Sequence, residues 1–397
     1  MDKLQKPYLT DQRKNDLKSL YRDGLLNDVL PFWIRHSVDE EYGGFMFCLD
    51  RDGSVIDTDK GMWQNCRFTW LLSTLYNTVE KKQEWLDLAR HGVDFILKHG
   101  FDSDGRMFFQ VTREGAPVRK RRYIFTETFA AIALAAYAKA SGDAEIAERA
   151  EAIFQLIIRY LTTPGLIPAK YDSRTRPMKG MSVPMILIAT AQVLRDCLDA
   201  PKYTEWIDRS IGEIRADFMN HELRAVLETV GPNGEFLDHF EGRTLNPGHA
   251  IEGAWFILHE AKHRNNDAEL IRTGCTMLDW MWERGWDKEY GGMYYFRDVR
   301  NLPVQEYWHD MKFWWPHVET IIATLLAHQL TGDRKYSAWH QLIHDWTYRH
   351  FPDPEYGEWF GYLHRDGRLS VPLKGNIWKG PFHIPRMQWY CWKLLEE

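Results

Sequence analysis

Arg67, Glu127, His249, Glu252, His317, Glu319, His383 and Arg386 stand in short stretches that read as the starts of apolar helices. These are MWQNCRFTW (residues 62–70), YIFTETF (123–129), LNPGHAIEGAW (245–255), KFWWPHVET (312–320) and NIWKGPFHIPR (376–386), with MKGMSVPM (178–185) a further stretch of the kind. Helix starts normally hold capping residues and apolar packing positions. Taken singly, each side chain has an ordinary explanation: a lone histidine on a helix is most often a hydrogen-bonded core residue, and an Arg–Glu combination a structural ion pair. Ionisable groups on buried helices are costly to desolvate, however, and several helices that aim them at one place form a site. Two histidines on separate segments point to acid–base chemistry, because an imidazole with an unperturbed pKa of about 6.5 gives or takes a proton at neutral pH. No metal is expected here, since none of these starts carries more than one histidine and none offers two imidazole ligands one turn apart. Neither a G-x-S-x-G elbow nor a P-loop occurs.

Tryptophan is concentrated in the same places. The chain has 18 Trp beside 18 Tyr and 20 Phe, and Trp63, Trp70, Trp314, Trp315 and Trp378 lie at or next to the helix starts. Flat apolar rings with one N–H suit the C–H faces of a sugar. Indoles equally fill the interior of a wide barrel, and both readings stand. The balance of 50 Lys+Arg against 56 Asp+Glu, a net charge of −6, offers no basic face for a phosphate backbone, so nucleic acid is not an expected partner. No apolar run approaches the roughly 20 residues of a membrane span, and the opening MDKLQKPYLTDQRKND is charged, without the apolar core of an export signal. Cys48, Cys66, Cys197, Cys275 and Cys391 are odd in number and widely spaced, and read as reduced thiols of a cytoplasmic protein.

A repeat must position these groups. EYGGFMFCLDRDGSV (41–55), SDGRMFFQVTREGAPV (103–118), EYGGMYYFRDVRNLPV (289–304) and EYGEWFGYLHRDGRLS (355–370) each join a glycine, an alternating aromatic run and a polar turn, the pattern of a β-hairpin; ELRAVLETVGPNGEFL (222–237) is a weaker copy. Five repeat steps between Gly53 and Gly367 give a period of about 63 residues and about six units. Residues 86–99 and 144–161 read as amphipathic outer helices. Residues 125–139, 184–195, 249–262, 318–330 and 385–395, with few charges gathered at their ends, read as buried inner helices. Helical hairpins whose second members are all buried imply a closed toroid, an all-α (α/α)6 barrel with short β-hairpins at one rim, because an open solenoid would need polar capping repeats. No linker divides the chain, so residues 1–397 read as a single (α/α)6-barrel catalytic domain. Closure brings the inner-helix starts to the hairpin rim, where a ligand cleft would form.

LNPGHAIEGAW, KFWWPHVETIIATLLAHQ and KGNIWKGPFHIPR resemble the signatures of the N-acylglucosamine 2-epimerase family, in the right order along essentially the whole chain. The resemblance implies an (α/α)6 barrel. In related cellobiose 2-epimerases and in mannose and sulfoquinovose isomerases a further histidine stands on the helix that corresponds to MKGMSVPMILIATAQVL (178–194). None stands there in this chain, whose S-V-P-M is similar to the acetamido-sugar branch. The implied reaction is interconversion of N-acetyl-D-glucosamine and N-acetyl-D-mannosamine, with His249 and His383 as the acid–base pair and Arg67, Glu252 and Glu319 holding and polarising the substrate. Trp63, Trp315, Trp378, Arg386 and His317 are the expected substrate-binding residues. In the open-chain sugar the aldehyde acidifies the proton on carbon 2, and its removal leaves an enediol-like intermediate. Inversion requires return of the proton on the opposite face.

The resemblance also implies that no cofactor is required for the chemistry, that ATP acts as a non-consumed activator, and that the protein is a homodimer acting on a small amino sugar. The basic segment GLIPAKYDSRTRPMKG (165–180), with Lys170, Arg174, Arg176 and Lys179, is a candidate for phosphate contact and equally a solvated loop. Competing readings are an aldose–ketose isomerase or a 2-epimerase of unacetylated sugars, a glycoside hydrolase or lyase on the same barrel, and a sugar-binding protein without catalysis. Hydrolysis needs two carboxylates flanking the bond, which a histidine pair matches poorly.

Overall fold

The computed structural model describes residues 9–397; residues 1–8 of the charged opening, on which the absence of an export signal is partly read, lie outside them. The helices alternate between an outer and an inner ring. The first outer segment is α1 (Asp11–Gly24), which continues through a π turn (Leu25–Val29) into α2 (Leu30–Ser37). Pro31 supplies no N–H to a regular helix, and the turn closes instead through Leu30 N–H to Leu25 O. Then follow, as inner and outer pairs, α3 (Met62–Thr78) with α4 (Gln83–His99), α5 (Phe125–Ser141) with α6 (Ala144–Thr162), and α7 (Ser182–Leu198) with α8 (Thr204–Glu213). After the short turn α9 (Phe240–Arg243) come α10 (Pro247–His263) with α11 (Ala268–Gly285), α12 (Trp314–Thr331) with α13 (Arg334–His350), and finally the inner helix α14 (His383–Glu396).

Inner helices are apolar on nearly every side. In α5 all residues from Thr126 to Ala138 are buried, and in α12 all from Trp314 to Ala327. Outer helices bury one stripe, and three of them start on aspartate caps: Asp143, Asp267 and Asp333 accept the first free backbone N–H groups of α6, α11 and α13. Where the rings touch, small residues permit the approach; a Cβ on Gly274 of α11 would lie 2.6 Å from Leu258 of α10. Each inner helix packs on the next, from α3 through α14. The ring returns to its beginning through Trp389 of α14, whose indole N–H donates to Thr78 of α3 at 2.9 Å. The outer partner of α14 is α1, from the other end of the chain. Among the described residues no helix is long and apolar enough to cross a membrane.

The rim hairpins are present, but their strands are mostly two residues long, and much of their pairing runs between units. Lys60–Gly61, at the start of α3, pairs with Phe108–Val111; Lys312–Phe313, at the start of α12, pairs with Tyr362–Leu363. Buried charges pin these stitches. Asp39 takes Lys60 at 2.8 Å and Arg113 at 2.9 Å; Asp287 takes Lys312 at 3.1 Å and Arg365 at 2.9 Å; Asp353 takes Lys374 at 2.9 Å and Arg51 at 2.8 Å. All three aspartates and all three lysines are fully buried at the side chain. In each clamp the arginine comes from a neighbouring unit's hairpin turn, and Arg51 on Asp353 joins the first unit to the last. Burial would raise these carboxyls, but the paired cations and backbone donors hold all three well below the usual carboxylate range.

Asp353→Asn should therefore strand Lys374 without its counter-charge and destabilise the protein by about 3–5 kcal/mol, read as a drop in the denaturant midpoint. Arg174→Ala, which removes an exposed pair with Asp172, should change stability by no more than about 0.5 kcal/mol. Equal effects from the two substitutions would contradict the role given to the clamps.

Candidate active site

The starts of the inner helices surround a cavity of about 840 Å³. Local sequence explains how its polar residues are presented. Asn246 caps α10 and accepts the backbone N–H of His249 at 3.2 Å, while Pro247, with no N–H of its own, opens the helix. His383 is the first residue of α14, and Arg386 stands one turn later on the same face. Glu252 and Glu319 stand in the second turns of α10 and α12.

Glu319 is the hub. Its Oε1 accepts from His383 Nδ1 at 2.7 Å and from Arg386 Nη2 at 2.6 Å, and its Oε2 accepts from the Trp255 indole at 2.7 Å. Arg386 Nη2 also donates to Glu252 Oε1 at 2.5 Å. Across the cavity, His249 Nδ1 lies 2.9 Å from Glu228 Oε1. Each imidazole is thus tied through Nδ1 to a carboxylate of its own, which fixes the Nδ1–H tautomer and leaves Nε2, unbonded to protein, for the cavity. Trp315 stands between them, its ring 5.2 Å from His249 and 5.9 Å from His383.

The two histidines differ in protonation. Burial, reinforced by Arg386, Arg67 and His249, pushes His383 well below the ordinary imidazole range. Burial also works to lower His249, but the charge and hydrogen bond of Glu228 outweigh it and raise the pKa. Arg67 is brought down to about 9 by burial. Its guanidinium lies over Phe129 at 4.0 Å and Phe382 at 4.5 Å, its Nε is buried without a partner, and among the described residues it forms no salt bridge.

Of the expected site residues, Arg67, His249, Glu252, His383, Arg386, Trp63, Trp315 and Trp378 line the cavity, and Glu319 supports it from behind. Trp378, 42% exposed and edge-on to Trp63, sits at the mouth. His317 corrects the sequence reading. Its Nδ1 donates to Phe313 O at 2.6 Å, its Nε2 accepts Met293 N–H at 2.9 Å, its ring stacks on Trp346, and burial takes its pKa to about 3. With both nitrogens spent on backbone it fastens a hairpin and does not line the cavity. Glu127 has the same kind of role, accepting from Arg106 at 2.5 Å and from Met107 N–H at 2.9 Å. The basic segment is also partly committed, since Lys179 pairs with Glu213 and Asp217, and Arg174 with Asp172.

Glu228, Asn246 and Trp255 went unpredicted. Asn246 was visible as an N-cap in N-P-G-H; Glu228, in the loop before α10, has no spacing that announces it. Helical histidine pairs do occur deeper in the chain. The H-E-x-x-H of residues 259–263 is no metal site, because His259 is bonded to the Tyr390 hydroxyl and Glu260 to Arg195 and Arg264. His340 and His344 on α13 are engaged by Tyr21 and by Asp345 and Arg13. Glu252, Glu319 and His383 do bring ligand atoms within 4.8 Å of one another, but Arg386 already supplies positive charge at that point.

Comparison with known proteins agrees with this geometry. A family profile described as N-acylglucosamine 2-epimerase (GlcNAc 2-epimerase) matches residues 43–384. The chain is 36% identical over 382 residues to the N-acylglucosamine 2-epimerase of Bos taurus, covering 94% of this chain and 90% of that one. It is 34% identical to the N-acylglucosamine 2-epimerase of Homo sapiens, covering 93% and 88%. In fold it is similar to the cellobiose 2-epimerase of Bacillus thermoamylovorans, with a TM-score of 0.83 at 21% identity over 96% of this chain and 99% of that one.

Burial lowers the pKa of His259 to about 4 and of His317 to about 3, and lowers those of His340, His344 and His383. The unfolded chain, with imidazoles near about 6.5, binds protons there that the native state refuses. Their contribution to stability is full above that value and is lost as the pH falls through it toward the native pKa values, at up to about 1.4 kcal/mol per pH unit for each excluded proton. The denaturant midpoint should fall between pH 7 and pH 5, before the depressed carboxylates titrate. A midpoint flat over that interval would contradict the neutral, buried assignment.

Proposed function

The chain belongs to the N-acylglucosamine 2-epimerase family, and on that premise we propose that it interconverts N-acetyl-D-glucosamine and N-acetyl-D-mannosamine. The reaction removes and returns the proton on carbon 2 of the open-chain sugar. The observation that carries this reading is the pair of imidazoles held through Nδ1 by separate carboxylates, with both Nε2 atoms left to one cavity. One imidazole takes the proton from carbon 2. Charge then builds on the oxygen of carbon 1, where the unpaired Arg67 guanidinium can meet it without first giving up a protein partner. The other imidazole delivers a proton to the opposite face, and the configuration inverts.

All these steps use side chains of the chain itself, and the chemistry of the family needs no cofactor. Met185 and Ile186 of α7 form an apolar part of the wall, a surface suited to the methyl of an acetamido group. Hydrolysis is disfavoured because Glu252 and Glu319 share Arg386, so neither is a free acid or nucleophile. The proposal includes a cytoplasmic homodimer with a small amino sugar as its partner, supported by five free cysteines and by the family resemblance.

ATP as a non-consumed activator is part of the same proposal. Lys170 and Arg176, free of the pairs that occupy Arg174 and Lys179, are joined near the mouth by Arg119, Arg121 and Arg122. Lys170 and these three arginines all act on Tyr123, Arg121 also lies over Trp378 at 5.3 Å, and none has a carboxylate partner among the described residues. Added ATP should raise turnover without being hydrolysed, and Arg121→Ala should abolish the increase while leaving the ATP-free rate in place. Turnover indifferent to millimolar ATP would remove this part of the proposal.

In heavy water the product should carry one solvent deuterium at carbon 2. His249→Ala and His383→Ala should each reduce turnover by at least about 10²-fold with the fold intact by circular dichroism. Deuterium at carbon 1, or an active protein lacking either histidine, would contradict the assignment; a product screen with acetamido and plain hexoses separates it from isomerases and from epimerases of unacetylated sugars.

A further inference from the structure

The two Glu–His pairs look alike in outline and differ in how each carboxylate is neutralised. Glu319 shares its charge with Arg386 at 2.6 Å and accepts the Trp255 indole as well. Among the described residues the Glu228 carboxylate has no Lys or Arg beside it: His249 is its only hydrogen-bond partner, and Oε2 is buried with none. A carboxylate already matched by a guanidinium does little to favour a second positive charge, whereas an unmatched one favours it strongly. Asn246 Nδ2 lies 3.1 Å from His249 Nδ1 but, being a donor itself, makes no hydrogen bond to the Nδ1–H that Glu228 accepts.

From this asymmetry we infer that Glu228 is a positioning residue that divides the labour of the two histidines. It holds His249 as the imidazolium, the proton donor of the resting enzyme, and so leaves neutral His383 as the resting base. The inference rests on the epimerase reading above. Glu228 is itself held in place by backbone, since its carbonyl accepts Met181 N–H at 3.0 Å and the next residues, Thr229–Val230, pair with Lys179–Gly180. The charged and titratable groups that face His249 are Glu228 from that loop, Glu252 from its own helix and His383 from α14. Tyr295, from the rim segment beside Glu228, is kept neutral by burial. Of these groups only Glu228 touches the imidazole. After one turnover the proton has passed from His249 to the sugar and from the sugar to His383. Exchange with solvent then restores the resting state, so no oxidant, reductant or second substrate is needed.

The test is the pH profile of kcat/KM for Glu228→Gln, with Glu228→Asp as the conservative control. Loss of the proton from His249 sets the basic limb in the wild type. Glu228→Gln should move that limb down by about 1–3 pH units, so that kcat/KM at pH 8 falls by a factor of about 10–10³. The factor should be the same with either epimer as substrate, because both directions share one equilibrium constant. Glu228→Asp should keep the wild-type limb, and nitrogen chemical shifts of the His249 ring should titrate lower in Glu228→Gln alone. A Glu228→Gln protein that is merely slower, with both limbs unmoved, would overturn the inference and leave the epimerase reading standing. Absence of carbon 2 exchange in the wild type would overturn the reading itself.

Discussion

The guanidinium of Arg386, 2.5 Å from Glu252 and 2.6 Å from Glu319, is the contact on which the rest of the site depends. It joins α14 to α10 and α12 at their buried starts, where an unpaired carboxylate would be hard to tolerate. The arrangement costs several kcal/mol of desolvation per ion and is stable only while every member is present. In return Glu319 is fixed, Glu319 fixes the His383 tautomer, and Nε2 of His383 is presented to the cavity. Arg67, one helix further round, is excluded from the pairing and faces the cavity without a carboxylate partner among the described residues.

Such a cluster needs a rim that does not open. The clamps of Asp39, Asp287 and Asp353, each holding a buried lysine and an arginine from a neighbouring unit, serve that need. They join hairpin to hairpin, and Arg51 with Asp353 carries the connection across the two ends of the chain. His383 stands close to the carboxyl end, yet its helix is packed against α1. The acid–base geometry is thus a property of the closed ring and of no single repeat.

Much of this was legible in the chain. A repeat of about 63 residues, apolar helices with charged starts and tryptophans beside them lead to the barrel and to Arg67, His249, Glu252, Glu319, His383 and Arg386. The failures have physical causes. His317 and Glu127 occupy the same kind of position as the residues that line the cavity, but their polar atoms are consumed by groups of the hairpins, and sequence does not show where a side chain's hydrogen bonds go. Glu228 reaches His249 from a loop 21 residues away, a distance set by the course of the chain through the rim. The strands came out shorter than the aromatic alternation suggested because pairing runs between units. Outer helices α8, α11 and α13 were not singled out, although Asp267 and Asp333 mark two of their starts.

The central claim is geometric: two imidazoles on opposite faces of one carbon atom. A crystal structure with the open-chain sugar alcohol of N-acetylglucosamine measures it directly. Carbon 2 should lie between the Nε2 atoms of His249 and His383, within about 3.5 Å of each, with the carbon 1 oxygen in hydrogen-bond reach of Arg67. A ligand bound with both imidazoles on the same face of carbon 2, or with either one out of reach of it, would contradict the account.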